Sequence, residues 1–223
     1  MIGHSERGLD RCRNAVAQNW DDLIAEGLAT EANKQAALAL LTVTNDPAAL
    51  KDHTFVFEAV TEGAAEKQSA YAAIAQYAAQ DAIIASCSSS MDAEILADLT
   101  PCPERLLIAH PFQPVHMLPL VEVVRHRRTQ EEVVSRTLTL LEQLHRQVVV
   151  LNRSVPGLLV NRFAQALFRE SIYLIEQGVT TAADIDRAVK YAVGMRYASI
   201  GLLEYFDAVG FQLESTIAQN VYP

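Results

Sequence analysis

The sequence predicts an α/β fold in which a largely parallel sheet is followed by an all-helical region. Five short apolar runs have the character of buried strands, and they lie at 54–60, 82–87, 106–112, 120–124 and 148–152. Helical segments separate them, and this alternation is typical of parallel sheets. From Pro156 onward helical signals replace the strand signal. We therefore expect a domain boundary at 153–156, with residues 1–154 and 155–223 on either side.

The helices are predicted from apolar spacing and from capping residues. The first has an apolar stripe that Gly27 closes as a C-terminal cap, and the stripe consists of Leu9, Cys12, Val16, Trp20 and Leu23. Cys12 is therefore expected in the core. Further helices are expected over 31–40, 62–79, 130–145, 157–177 and 182–193. The pattern Thr129-x-x-Glu132 opens one of them, and Thr181-x-x-Asp184 and Gly194 bound another.

Composition excludes several classes of function. Asp and Glu outnumber Lys and Arg by 27 to 18, so neither nucleic acid nor an anionic membrane is an expected partner. The three cysteines have no zinc-ligand spacing and suggest no disulfide framework, so no metal site is expected. The charged opening stretch does not resemble a signal peptide, and no segment has the apolar length to span a bilayer. A cytoplasmic protein is expected.

The α/β part contains no phosphate-binding loop. A dinucleotide's pyrophosphate is held by the backbone N–H groups of a Gly-x-Gly-x-x-Gly turn that follows a strand and opens a helix. The sequence begins with a helical segment instead, and Gly3 and Gly8 follow no strand. We assign these glycines no role in phosphate binding.

Three stretches resemble the 3-hydroxyacyl-CoA dehydrogenase family in order and spacing. They are FEAVTEGAAEKQ (57–68), ASCSSSMDAEILADLTPCPERLLIAHPFQPVHMLPLVEVV (85–124) and VPGLLVNRFAQALFRESIYLIEQGV (155–179), and the resemblance extends over DIDRAVKYAVGMRYASIG (184–201). It implies an incomplete Rossmann-type parallel sheet followed by an all-helical C-terminal domain. The family's first strand, phosphate loop and second strand are absent from the NAD-binding domain at 1–154. The resemblance also implies that the helical domain at 155–223 is truncated and forms a homodimer.

The resemblance places the family's catalytic residues on Ser89, His110, Glu122 and Asn161. Oxidation of a secondary alcohol needs a base for the hydroxyl proton, and histidine titrates near neutral pH. His110 is the expected base, Glu122 its orienting partner, and Ser89 and Asn161 the donors to the reacting oxygen. Glu122 also needs a partner on physical grounds, because it lies inside an apolar strand. A structural histidine, a serine that caps a helix and a buried amide are the alternative interpretations.

The implied cofactor is NAD, and its contacts fall on Ala59, Glu62, Lys67, Cys87 and Gln113. Cys87 and Gln113 stand where the family commonly has asparagine. Glu62 and Lys67 also suit a helix start as ordinary surface charges.

The substrate class is open between a 3-hydroxyacyl-CoA and a free 3-hydroxy acid. The segments HPFQPVHMLPLVE and GMRYASIG resemble the branch that contains L-gulonate and carnitine dehydrogenases and lambda-crystallin. Arg196 offers a planar fork for a substrate carboxylate, or it is a surface cation near a helix end. Two other functions remain open, a truncated non-catalytic dimer and a ligand-binding module without NAD. We expect this sequence to be a fragment of a longer dehydrogenase.

Overall fold

The computed structural model describes residues 1–3 and 5–221. The chain forms two compact units, Met1–Asn161 and Arg162–Pro223. The predicted functional boundary between residues 154 and 155 stays a prediction. Among the described helices, none is both long and apolar enough to cross a membrane.

Five strands form one sheet in sequence order. They are β1 (Phe55–Glu58), β2 (Ile83–Ser86), β3 (Leu106–Pro111), β4 (Leu120–Val124) and β5 (Gln147–Leu151). Strands β1, β2 and β3 are parallel, β4 runs antiparallel to β3, and β5 is parallel to β4. The predicted, largely parallel α/β sheet is confirmed, with one antiparallel step.

The first unit contains the helices α1 (Glu6–Ala25), α2 (Glu31–Ala39), α3 (Ala64–Tyr77), α4 (Ala93–Leu99) and α5 (Glu131–Gln143). Helices α3 and α4 pack on one face of the sheet and α5 on the other, whereas α1 packs against α2. One core contains Ile84, Leu106 and Ile108 with side chains of α3 and α4. The other contains Ile83, Leu107 and side chains of α5. Alternate strand residues thus face opposite cores, and each buried Leu or Ile side chain contributes about 1.5–3 kcal/mol.

Two predictions about these helices are wrong. Cys12 is only half-buried, because α1 packs beside α2 and buries no side chain except Leu9 within its described span. Thr129 does not cap α5, whose N-cap is Gln130. The Thr129 hydroxyl instead donates to the Leu106 carbonyl at 2.9 Å, so it ties the loop before α5 to β3. Gly27 has a φ of 71° and ends α1 as predicted.

The second unit is helical in the described residues. Its elements are α6 (Val160–Glu176), which begins at the end of the first unit, α7 (Ala182–Ala188), a π-helical turn (Val189–Val193), α8 (Gly194–Ser199), α9 (Leu202–Val209) and α10 (Phe211–Val221). Thr181 caps α7 as predicted, because its hydroxyl accepts from the Asp184 amide at 3.2 Å. Gly194 does not end the helix. A Cβ there would lie 3.0 Å from the Val189 carbonyl oxygen, so glycine lets the chain continue through the π-helical turn.

Candidate active site

The predicted site residues of the first unit follow the ends of neighbouring strands. The register pairs Glu58 with Ser86 and Ser86 with Ile108, so β1, β2 and β3 end at the same edge of the sheet. In open α/β sheets ligands bind outside the carboxyl ends of parallel strands. Ala59, Cys87 and His110 lie at or just beyond these ends. The site is therefore where the strand topology favours a ligand.

His110 and Glu122 form a buried pair across β3 and β4. The antiparallel register places the two residues directly opposite each other, and His110 Nδ1 lies 3.0 Å from Glu122 Oε2. Glu122 is fully buried, whereas His110 remains 7% exposed. A carboxylate at Nδ1 favours the tautomer with the proton on Nδ1, which leaves Nε2 as the acceptor. The predicted pairing of Glu122 is present in the structure.

The second oxygen of Glu122 is also satisfied. Glu122 Oε1 accepts from the backbone amides of Leu159 and Val160, at 2.8 and 2.9 Å, where α6 begins. The two backbone amides and His110 thus hold both carboxylate oxygens in place, so Glu122 can orient the imidazole ring. The sequence does not predict these two amides, because every residue except proline has a backbone N–H. It predicts only that a carboxylate inside an apolar strand needs some partner.

The serines after β2 have distinct roles. Ser86 is buried and donates to Glu58 at 2.7 Å, and the Ser88 hydroxyl donates to Glu62 at 2.8 Å. Neither hydroxyl is left for a ligand. Ser89 is half-buried, and within the described part of the chain its hydroxyl makes only a long 3.4 Å contact, to Glu62. Among Ser86, Ser88 and Ser89, only Ser89 has a hydroxyl without a short hydrogen bond, and it is the serine that the resemblance indicates.

The alternative interpretation, that a serine caps the following helix, is wrong. The N-cap of α4 is Asp92, whose carboxylate accepts from the Glu94 amide at 2.8 Å. An ionised carboxylate stabilises a helix N-terminus by its charge as well as by its hydrogen bond.

Glu62 lies between α3 and the serine turn. Its carboxylate accepts from the Ser89 amide at 2.7 Å and the Ser90 amide at 3.4 Å, in addition to the Ser88 hydroxyl. Partial burial opposes its ionisation, but these hydrogen bonds and the charge of Lys67 outweigh it and lower the pKa of Glu62. Glu62 is therefore ionised at neutral pH.

A buried polar cluster lies beneath this turn. Lys67 is 1% exposed, and its ammonium contacts both carboxylate oxygens of Glu58 at 3.1 Å. The Tyr71 hydroxyl donates to Glu58 at 2.9 Å, and burial is the main cause that raises the pKa of Tyr71. The sequence analysis missed Glu58 and Tyr71. Like Glu122, Glu58 is a carboxylate in a largely apolar strand and therefore needs partners. We applied this reasoning to Glu122 and not to Glu58.

The other predicted cofactor contacts surround the same sheet edge. Ala59 and Gln113 are exposed, and Cys87 is half-buried with its amide bonded to the Glu58 carbonyl at 2.8 Å. Burial raises the pKa of the Cys87 thiol to about 11, and Glu58 adds to the shift. The thiol is therefore neutral at physiological pH. These uncharged groups at the sheet edge are compatible with a nicotinamide ring, whereas residues 1–223 contain no Gly-x-Gly-x-x-Gly sequence for the pyrophosphate.

Asn161 and Arg196 lie on helices. Asn161 is in the first turn of α6, next to Val160, whose amide holds Glu122. Arg196 is in the second unit on α8, and its guanidinium stacks on the Tyr205 ring, 4.5 Å from the ring centre. Arg196 forms no ion pair with a carboxylate of the described chain. Across those same residues, no group of three or more His, Cys, Asp or Glu is placed to hold a metal.

Comparison with known proteins identifies the relatives of both parts of the chain. The family model described as the NAD binding domain of 3-hydroxyacyl-CoA dehydrogenase matches residues 1–154, and that of its C-terminal domain matches residues 157–223. L-carnitine dehydrogenase of Staphylococcus epidermidis is 35% identical over 208 residues, which are 92% of this chain and 63% of the relative. The enzyme of the same name from Oceanobacillus iheyensis is 32% identical and covers 93% of this chain and 66% of its own length. The chain thus spans less than two thirds of these relatives.

Solved structures agree with this relationship. The 3-hydroxyacyl-CoA dehydrogenase of Archaeoglobus fulgidus is 28% identical, with a TM-score of 0.80 over 98% of this chain and 69% of that structure. The (S)-3-hydroxybutyryl-CoA dehydrogenase of Ralstonia eutropha is 29% identical, with a TM-score of 0.79 over 87% of this chain and 68% of that structure. The match to an NAD-binding domain supports NAD as the predicted cofactor. The protein belongs to the 3-hydroxyacyl-CoA dehydrogenase family.

Proposed function

We propose that the protein is an NAD-dependent dehydrogenase that oxidises the 3-hydroxyl of its substrate to a ketone, with His110 as the base. The observation that carries this proposal is the pair formed by His110 Nδ1 and the fully buried Glu122 carboxylate, 3.0 Å apart. A histidine held in this way has a fixed tautomer and a defined acceptor atom. A structural histidine needs neither a buried carboxylate nor a place at the carboxyl edge of the sheet.

In this mechanism Nε2 of His110 takes the proton of the substrate hydroxyl. Glu122 stabilises the imidazolium that results, because its carboxylate lies against Nδ1 and is held there by the Leu159 and Val160 amides. The Ser89 hydroxyl and the Asn161 amide donate hydrogen bonds to the reacting oxygen. When bound, NAD would accept the hydride from the carbon that carries the 3-hydroxyl.

We assign the cofactor contacts to the carboxyl edge of the sheet. Ala59, Cys87 and Gln113 would lie against the nicotinamide end, and Glu62, just before α3, and Lys67, in its first turn, would also contact the cofactor. Cys87 suits this place because its thiol is neutral, so it brings no negative charge near the ring.

For the substrate we propose a free 3-hydroxy acid, and L-carnitine is the compound to test first. Two relatives at 35% and 32% identity are named L-carnitine dehydrogenases. Arg196 supports a carboxylate substrate, because stacking on Tyr205 orients its guanidinium while no carboxylate of the described chain is paired with it. We propose that Arg196 pairs with the substrate carboxylate. The second candidate is a 3-hydroxyacyl-CoA, which the similarity to (S)-3-hydroxybutyryl-CoA dehydrogenase favours.

We also infer a homodimer in the cytoplasm. The support for a dimer is the apolar character of α6, whose exposed side chains include Phe163, Leu167, Phe168 and Ile172. The support for a reducing compartment is that Cys12, Cys87 and Cys102 are all free. The functional domains would be residues 1–154 and 155–223.

The test compares two substrates and two variants in an assay of NAD reduction. L-Carnitine and (S)-3-hydroxybutyryl-CoA are the substrates, and calorimetric titration with NADH measures cofactor binding separately. We expect His110→Gln to lower kcat by at least about a hundredfold with either substrate, the usual contribution of a general base.

Arg196→Met should raise KM for L-carnitine far more than for the acyl-CoA. Equal effects of Arg196→Met on both substrates would exclude its carboxylate-binding role, and full activity of His110→Gln would exclude the mechanism.

A further inference from the structure

The turn that carries Ser89 is held by one carboxylate from a distant part of the chain. Glu62 binds three successive residues, through the Ser88 hydroxyl at 2.8 Å, the Ser89 amide at 2.7 Å and the Ser90 amide at 3.4 Å. Hydrogen bonds to an ionised acceptor are stronger than those between neutral groups. The backbone on both sides of the Ser89 side chain is therefore fixed by Glu62.

We propose that Glu62 is a positioning residue that directs the Ser89 hydroxyl toward the reacting oxygen, an inference that rests on the proposed dehydrogenase function. The Ser88 hydroxyl donates a short hydrogen bond to Glu62, at 2.8 Å. The Ser89 hydroxyl makes only a 3.4 Å contact with the same carboxylate. Because this contact is long, the Ser89 hydroxyl can exchange it for a hydrogen bond to a substrate oxygen. Of the Ser88 and Ser89 hydroxyls, only that of Ser89 is thus available.

Lys67 forms an ion pair with Glu62. Its ammonium lies 3.7 Å from Glu62 Oε2, and it is held in place by Glu58, whose carboxylate also accepts from Tyr71 and Ser86. Because Lys67 is 1% exposed, its position varies little. The chain of contacts runs from buried Glu58 through Lys67 and Glu62 to Ser89.

The arrangement requires a negative charge at position 62. A carboxamide has a single acceptor oxygen, and its NH2 group would face the donor groups of the turn. The same loss occurs at low pH. The folded-state pKa of Glu62 lies below its ordinary value of 4.5, so its contribution to stability is present above pH 4.5 and is lost as the pH falls through that lower pKa.

Amide hydrogen exchange resolved by NMR tests the positioning role on the whole chain without any ligand. In Glu62→Gln we expect the Ser89 and Ser90 amides to exchange at least about tenfold faster, because they lose a charged acceptor. Glu62→Asp keeps the charge with a shorter reach and should give an intermediate effect. The matched control is Glu142→Gln on α5, an exposed carboxylate without a hydrogen bond in the described residues, which should leave both rates unchanged. Unchanged rates in Glu62→Gln would overturn the proposal.

The second readout separates positioning from a purely structural role. With the substrate that the unmodified protein oxidises, Glu62→Gln should lower kcat by about tenfold while KM for that substrate changes little, and Glu62→Asp should recover part of kcat. Faster exchange with an unchanged kcat would overturn the proposal, because the turn would then matter only for folding. Failure of the unmodified protein to oxidise any substrate would instead count against the proposed function itself.

Discussion

Glu122 is the residue on which the site depends most strongly. It is fully buried and has three hydrogen-bond partners, one on His110 and two on the backbone where α6 begins. A buried carboxylate without such partners would be costly, so its presence in an apolar strand needs this set of contacts. The same contacts serve both the fold and the proposed chemistry.

Removal of Glu122 should therefore destabilise the protein as well as reduce activity. Glu122→Ala leaves the Leu159 and Val160 amides and the His110 Nδ1–H without their acceptor. We expect the free energy of unfolding in urea to fall by about 3–5 kcal/mol, because three buried donors each lose their acceptor at a cost of about 1–3 kcal/mol. Glu142→Ala, at an exposed position, is the control and should change it by less than about 0.5 kcal/mol. A loss below about 1 kcal/mol in Glu122→Ala would mean that these contacts contribute little to stability.

At the scale of elements, the antiparallel pair of β3 and β4 brings the site together. Its register sets His110 opposite Glu122 although twelve residues separate them in sequence, and the start of α6 then meets Glu122. Strand pairing thus gives the His110–Glu122 pair its geometry.

The helix cap at Thr181 offers a separate test of the second unit. Its hydroxyl satisfies the Asp184 amide at the start of α7, so Thr181→Ala should lower the free energy of unfolding by about 1 kcal/mol. The neighbouring Thr180→Ala is the matched control, since Thr180 caps no helix. Equal stabilities of the two variants, measured by urea unfolding, would contradict the assigned cap.

Local patterns predicted elements well and long-range contacts poorly. All five strands were predicted because each is a short apolar run, and the Thr181 cap was predicted because its partner lies three residues away. The bonds from Glu62 to the serine turn join residues 26 to 28 positions apart, and no spacing rule applies at that separation. At Thr129 the local pattern was misleading. The sequence matches a helix cap, but the hydroxyl donates to the Leu106 carbonyl on β3 instead.

At the scale of the whole molecule, the family relationship covers both parts of the chain. The two family models match residues 1–154 and 157–223, and the chain spans 63% of the Staphylococcus epidermidis relative. These residues include the proposed base, its carboxylate and the donors to the reacting oxygen. The central claim therefore concerns a pair that lies within the first unit and can be measured without cofactor or substrate.

The most direct test of that claim is the tautomer of His110, measured by nitrogen-15 NMR at a pH where the ring is neutral. We predict that the proton resides on Nδ1, where Glu122 accepts it, and that Nε2 is unprotonated. His53 serves as the internal reference, because it is exposed and its ring has no hydrogen bond in the described residues. A proton on Nε2 of His110 would contradict the account, because that nitrogen would then be unable to take the proton of a substrate hydroxyl.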